Sequence, residues 1–275
     1  MGLRINTNLA SLTTQRNLFA AGLQVNKSMG RLGSGLRIQR AADDAAGLAM
    51  SERMNMHARS WGQVERNISD GVGLANYVEG IYSEVGDMVA RLRELATHSM
   101  TGTLSDADRV SLQIEAEQII EEVDRIADGT HYNGLSGIPI GDGSIFRVPI
   151  QVGINADDFV YVRLTSLQPD SLQIDTVDLS TQAGAEAALA GIDTGIQRLA
   201  RGRGKIGADL HVLASAGANA SITRTGLESA KSRIRDVDIA SESAQLLKSQ
   251  LIQEMATKIL AQANIQPQLA LKLLQ

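Results

Sequence analysis

Proline is missing from residues 1–138 and again from 170–266. Proline kinks or breaks a helix interior because it lacks an N–H and clashes with the preceding turn. These two stretches make up most of the 275 residues, and both are open to long helices. The four prolines are Pro139, Pro149, Pro169 and Pro267, so three of them fall within 139–179. The chain therefore reads as two helical halves around a different kind of middle.

The apolar spacing agrees. Leu74, Val78, Ile81, Val85, Met88, Leu92 and Leu95 alternate steps of four and three. That seven-residue repeat places one stripe along a helix and suits a coiled-coil seam. Leu112, Ala116, Ile119, Val123 and Ile126 repeat it after a break near Thr101-Gly102-Thr103. Ser105 with Asp108 reads as a capping pair that opens this second helix. A third stripe runs through Ile192, Ile196, Leu199, Arg203, Ile206, Leu210, Leu213, Gly217, Ala220, Arg224, Leu227, Lys231 and Ile234. At 1.5 Å per residue it predicts a rod of ~65 Å, too long for a compact domain, so an elongated body is expected.

The middle alternates with period two. Phe146, Val148, Ile150 and Val152 interleave with Arg147, Pro149 and Gln151, and Phe159–Leu164 forms a second short run beyond the turn Gly153–Asp158. This is a hairpin pattern. Pro149 argues for an edge position, where no ladder donor is lost.

Composition narrows the function. Aromatic residues are 3% of the chain, which suits helix-on-helix seams of Leu, Ile, Val, Met and Ala better than a ligand-binding core. Residues 1–42 carry Arg4, Arg16, Lys27, Arg31, Arg37 and Arg40 and no acid, while the whole chain has net charge −5. That balance implies no nucleic-acid partner. With no cysteine, a disulfide framework and a thiol nucleophile are excluded. No apolar run reaches the ~18–20 residues of a membrane span, and the start lacks the apolar core of a secretory signal. An acid-free, arginine-bearing start also fits a mitochondrial transit peptide; a matching segment at the far end argues against that.

Candidate chemistry is sparse. His57, His98, His131 and His211 show no metal-like pairing. Gly30–Gly35 is glycine-rich but lacks the Gly-Lys-Ser/Thr ending of a phosphate loop, and reads as a joint between helices. Asp43-Asp44 reads as capping or ion-pairing, and Arg201-Gly-Arg-Gly-Lys205 as a solvated or subunit-facing patch. No Ser/His/Asp arrangement emerges. We expect no enzyme, catalytic residue, metal or cofactor.

The ends are unusual. Residues 246–275 hold only Lys248, Glu254, Lys258 and Lys272 as charges, while Leu246, Leu247, Leu251, Ile252, Met255, Ile259 and Leu260 spread over more than one face. Ordering a backbone residue costs ~1–2 kcal/mol, and seven scattered side chains return too little for this end to fold alone. It needs partners on several sides. The first is the N-terminal segment with Ile5, Leu9, Leu12, Leu18, Phe19, Leu23, Met29, Leu32 and Leu36.

Those ends also carry a resemblance. Ile5-Asn6-Thr7-Asn8, Arg31-Leu32-Gly33-Ser34-Gly35-Leu36-Arg37-Ile38 and Ala41-Ala42-Asp43-Asp44-Ala45-Ala46-Gly47-Leu48-Ala49 resemble the N-terminal region of bacterial flagellins. Leu260-Ala261-Gln262-Ala263-Asn264, Pro267-Gln268 and Leu273-Leu274-Gln275 are similar to the flagellin C-terminal signature, and Ser232-Arg233-Ile234 with Asp236 and Asp238 also fits. The resemblance covers nearly the whole chain, in a short form without the variable outer domains.

The resemblance implies a mainly α fold: an elongated antiparallel coiled-coil and helix bundle with a small β-hairpin region and paired N- and C-terminal helices. It implies an inner-tube domain from 1–43 and 236–275. The outer-tube domain would take helices from 44–138 and 180–235, with the hairpin region at 139–179. The function implied is a structural subunit of the bacterial flagellar filament, extracellular and serving motility. It would be exported unfolded through the flagellar type III apparatus with an export chaperone. Partners would be copies of itself and the hook-associated and cap proteins, with no nucleic acid and no membrane. Self-assembly would rest on Ile5, Leu9, Leu12, Leu32, Leu36, Leu251, Ile252, Met255, Ile259 and Leu273. Arg91-Leu92-Arg93-Glu94-Leu95-Ala96 resembles the flagellin segment read by a vertebrate innate immune receptor, with Glu115 as the supporting acid, so Arg91, Leu95 and Glu115 would serve receptor or subunit contact. Ala90 departs from the family, where glutamine is common. A hook–filament junction protein is the alternative. An elongated enzyme and a coiled-coil adaptor are the remaining rivals.

Overall fold

The computed structural model describes residues 7–132, 135–136 and 145–272. In chain order the elements are α1 (Leu9–Ser34), α2 (Ala45–Ser99), α3 (Asp106–Gly129), β1 (His131–Tyr132), β2 (Leu135–Ser136), β3 (Ile145–Gln151), β4 (Phe159–Thr165), α4 (Pro169–Leu172), α5 (Gln182–Arg235) and α6 (Ile239–Lys272). They form two compact units: unit 1, Met1–Met56 with Gly226–Gln275, and unit 2, His57–Thr225. The mainly α fold and the packed terminal helices agree with the sequence reading.

Local chemistry sets the helix ends. The Asn8 side chain accepts from the Ser11 N–H at 3.0 Å to open α1, and Gly35 closes it in the left-handed region at φ 71°. Such a C-terminal stop favours glycine because a Cβ is strained there. Asp44 accepts from the Gly47 N–H at 2.9 Å to start α2. Ser105 and Asp108 form the expected reciprocal capping box of α3.

Unit 2 has a dry core. Leu74, Val78, Val85, Leu92 and Leu95 of α2 are buried, with Ile81 and Met88 packed beside them. Ala116 and Val123 of α3 join the same cluster. On α5 the buried positions are Ile192, Gly195, Leu199, Gly202, Ile206, Asp209 and Leu213. The expected stripe is thus corrected at three steps. Gly195, Gly202 and Asp209 take the buried line, while Ile196 and Leu210 pack half-buried against the same core and Arg203 is exposed. The reason is close approach. A Cβ on Gly202 would overlap the Tyr82 ring, and one on Gly195 would meet the Leu172 carbonyl. Arg203 turns outward to pair with Glu79 at 3.2 Å.

The hairpin lies as expected: β3 and β4 are antiparallel, with Arg147 opposite Arg163, Pro149 opposite Tyr161 and Gln151 opposite Phe159. The alternate residues Val162 and Leu164 are buried, and Val148, Ile150 and Val160 pack against the same core. The open edge of β4 is closed by side chains. Asp209 accepts from the Arg163 N–H at 2.9 Å and grips its guanidinium. The buried Tyr82 hydroxyl accepts from the Thr165 N–H at 2.8 Å and donates to the Thr165 carbonyl. Burial raises the Tyr82 pKa above its ordinary value. β1 and β2 add a second short ladder, His131 to Ser136 and Tyr132 to Leu135. The sequence reading passed over it, although Asn133-Gly134 is a strong tight-turn signal.

A polar knot ties the α2–α3 turn. The buried Arg109 guanidinium donates to the Ser99 carbonyl at 2.9 Å, the Thr101 carbonyl at 3.0 Å and Asp106 at 3.1 Å. Gln113 clamps the segment before α5, donating to the Val177 carbonyl and accepting from the Leu179 N–H. Apolar periodicity carries no trace of either role.

Candidate self-assembly surfaces

Unit 1 is built on the antiparallel pair α1–α6. The helix faces in contact follow a seven-residue rule, but the residues are small. On α1 the buried positions are Ser11, Thr14, Ala21 and Ser28. On α6 they are Glu242, Ser249, Ala256 and Ala263. Leu18, Val25, Leu32, Leu246 and Leu260 are half-buried. Small side chains let two backbones approach closely, so the seam gains packing contacts while hiding little apolar area.

Polar contacts fix both ends of this seam. Asn8 donates to the Ala263 carbonyl at 2.7 Å, and Ser11 to Asn264 at 2.9 Å. At the other end Ser28 donates to Glu242 at 2.6 Å, and Arg31 reaches the same carboxylate at 3.3 Å. Beyond it, Arg37 N–H donates to the Arg235 carbonyl at 2.7 Å and Val237 N–H to the Gly35 carbonyl at 3.0 Å, around a Leu36–Asp236 bridge. Asp43 pairs with Lys27 at 3.1 Å, and that contact with the Arg40 N–H holds its carboxyl below the usual range. Asp43 and Asp44 thus do the ion-pairing and capping that the sequence suggested.

The large apolar side chains point away from the seam. On α1, Leu9, Leu12, Phe19 and Leu23 are exposed, Phe19 to 70%. At ~100° per residue they fall on the face opposite Thr14, Ala21 and Ser28. On α6, Leu247, Leu251, Ile252, Met255, Ile259 and Ile265 are exposed, Leu251 to 62%. Leu247, Leu251, Met255 and Ile265 cover an arc away from Ser249 and Ala256, while Ile252 and Ile259 flank the seam as exposed neighbours. Of the expected assembly residues, Leu9, Leu12, Leu251 and Met255 are therefore outward, Ile252 and Ile259 are exposed beside the seam, Leu32 flanks it, and Leu36 is held in the bridge. Ile5 and Leu273 lie outside the described residues.

In unit 2, Arg91 donates to Glu115 at 2.7 Å and to Glu94 at 2.9 Å, all on the surface. Glu115, then Glu94, raises the Arg91 pKa above its ordinary value. Leu95 requires correction: it is 2% exposed and belongs to the core. It packs in the core stripe of α2 and offers nothing for a partner to touch. Among the described residues no group of three or more His, Asp or Glu is placed to hold a metal ion. Among them, too, no helix is long and apolar enough to cross a membrane.

Opposed apolar faces on a narrow helix pair define a self-associating helical protein, since such area stays in water until other chains cover it. Comparison with known proteins agrees. Residues 5–137 match the bacterial flagellin N-terminal helical region, and residues 189–274 the bacterial flagellin C-terminal helical region. A flagellin of Halalkalibacterium halodurans is 36% identical over 273 residues, covering 98% of this chain and 99% of the relative. A flagellar filament 30.7 kDa core protein of Treponema maltophilum is 34% identical over 98% of this chain and 99% of its own. The flagellin of Bacillus subtilis is 34% identical over 99% of this chain and all of its own. The chain belongs to the bacterial flagellin family, a family of structural proteins and not of enzymes.

Proposed function

We propose that this chain is a structural subunit that polymerises into the extracellular bacterial flagellar filament through the outward faces of α1 and α6. The observation that carries the reading is the inverted seam of unit 1. Its small residues face inward, while Phe19, Leu23, Leu251 and Met255 face water. The pattern is stable only when further chains supply the missing cover. Contacts between unlike faces that do not close on themselves generate an open helical polymer. Full-length relatives bear flagellin and filament-core names, which disfavours the hook–filament junction alternative.

The finer reading rests on the same residues. Residues 1–43 and 236–275 form the inner layer, and 44–235 the outer layer with its hairpin. Ends whose large apolar faces find cover only on assembly suit export in an unfolded state through the flagellar apparatus with a chaperone, followed by contact with hook-associated and cap proteins. Recognition by an innate immune receptor would use Arg91 and Glu115; a cell reporter that stays silent to the monomer beside a responsive control rejects that part.

The central test is seeded polymerisation read by negative-stain electron microscopy. Full-length chain grows filaments. Deleting ~30 residues from either end abolishes growth while unit 2 stays helical by circular dichroism. Normal growth of both truncations overturns the assignment.

A further inference from the structure

All three phenylalanines of this chain are exposed: Phe19 in unit 1, and Phe146 and Phe159 on the hairpin of unit 2. Large aromatics usually bury, so the hairpin presents a puzzle. Its outward face carries three cross-strand pairs in a row, Arg147–Arg163, Pro149–Tyr161 and Gln151–Phe159. Tyr161 is 45% exposed and Phe159 40%. Two arginines lie directly opposite each other, an unfavourable pairing within one sheet. Asp209 neutralises Arg163, but Arg147 makes no ion pair among the described residues.

Neither edge of the hairpin suits strand addition. Asp209 and Tyr82 occupy the β4 edge, and Pro149 interrupts β3. A partner therefore meets the face: a strip ~13 Å long with the arginine pair at one end and Pro149, Tyr161 and Phe159 along the rest.

Unit 2 itself carries a surface of matching chemistry. A shallow groove beside α3 and α4 is lined by Ile120, Gln168 and the buried Pro169, together with Glu121, Asp124, Asp170 and Asp175. These four acids are exposed at the rim. Among the described residues none of the four has a Lys, Arg or His nitrogen within 4.0 Å. Unit 2 counts 13 Lys and Arg against 23 Asp and Glu, a net charge of −10, so two copies repel overall and a contact between them depends on local pairing of opposite charges.

We propose that the Arg147–Tyr161–Phe159 face of one copy docks in the Glu121/Asp124 groove of a second copy. Arg147 meets the acids, and the aromatic rings cover the half-buried Ile120. Face and groove are different surfaces of the same chain, so the contact is head-to-tail and does not cap itself. It rests on the filament reading and adds a unit 2 contact to the one made by α1 and α6.

The test is a charge-swap cycle on the full chain, read as the concentration of unpolymerised subunit left at equilibrium with seeded filaments. R147E raises it about tenfold, and E121R/D124R does the same. The combination R147E/E121R/D124R returns it to within about threefold of the parent, while monomer melting is unchanged throughout. R147Q replaces R147E if the charge reversal disturbs the monomer. Strictly additive losses in the combined variant, or no effect of R147E and R147Q, overturn the docking. A parent chain that never polymerises overturns the filament reading instead, so the two failures are distinct.

Discussion

Units 1 and 2 are both made of long helices with a seven-residue rhythm, yet they bury opposite kinds of residue. Unit 2 hides Leu, Ile, Val and Tyr in one continuous cluster. In unit 1 the buried apolar side chains among the described residues are Ala21, Ile38, Ala256 and Ala263, only one of them larger than alanine. The difference shows that a heptad pattern alone does not say where a helix finds its cover. Unit 2 is satisfied within one chain. Unit 1 uses its small residues to make a thin pair and leaves its large ones for other chains.

The most damaging attack on this contrast is a charge on the outward face of unit 1. Phe19→Asp or Leu251→Asp removes ~1.5–3 kcal/mol of burial per contact and adds a charge to desolvate. Soluble subunit should rise by about 100-fold, with the melting of unit 2 unmoved. If either variant polymerises like the parent, the outward faces are not the assembly surface. Within unit 2, Asp209→Ala leaves the Arg163 guanidinium and N–H without their partner. It should cost ~1–3 kcal/mol in chemical denaturation, the half-exposed arginine tempering the loss. Gly202→Ala pushes a methyl into the Tyr82 ring and should cost ~1–3 kcal/mol, with filament growth from intact monomer preserved.

The smallest effect concerns pH. Tyr82→Phe removes the hydroxyl that serves both Thr165 groups, at ~1–2 kcal/mol near neutrality. The folded Tyr82 pKa lies above the ordinary 10.0 because of burial. Its contribution is therefore intact below pH ~10 and fades as pH climbs through the raised value. Parent unit 2 should lose stability above pH ~10 and Y82F should show a flatter alkaline limb; identical limbs refute the assignment.

Much of this was legible in sequence. Steps of three and four through Leu74–Leu95 and Leu112–Ile126 located α2 and α3, and Ser105/Asp108 marked the start of α3. Alternation through Phe146–Gln151 found β3. The failures share a cause. Gly195, Gly202 and Asp209 sit on the buried line of α5 although two have no side chain and one is charged, so a search for apolar residues selects their neighbours. Ser28, Ser249 and Glu242 are missed in unit 1 for the same reason. Leu95 fails differently: its motif looked like a surface signal, but its place in the α2 stripe already assigned it to the core. Arg109 and Gln113 act on backbone carbonyls of distant segments, and no spacing rule reveals such contacts.

The closure of the β4 edge by Asp209 and Tyr82, with Pro149 across the hairpin, has a consequence for proteostasis. A polymer holds its hairpins at very high local concentration, where an open strand would invite cross-β growth. Here two side chains and one imino acid remove that route. Crowded copies of this chain can then pack in a filament without seeding amyloid, and a variant such as D209A should reveal the hazard as thioflavin-positive deposits in aged, concentrated samples.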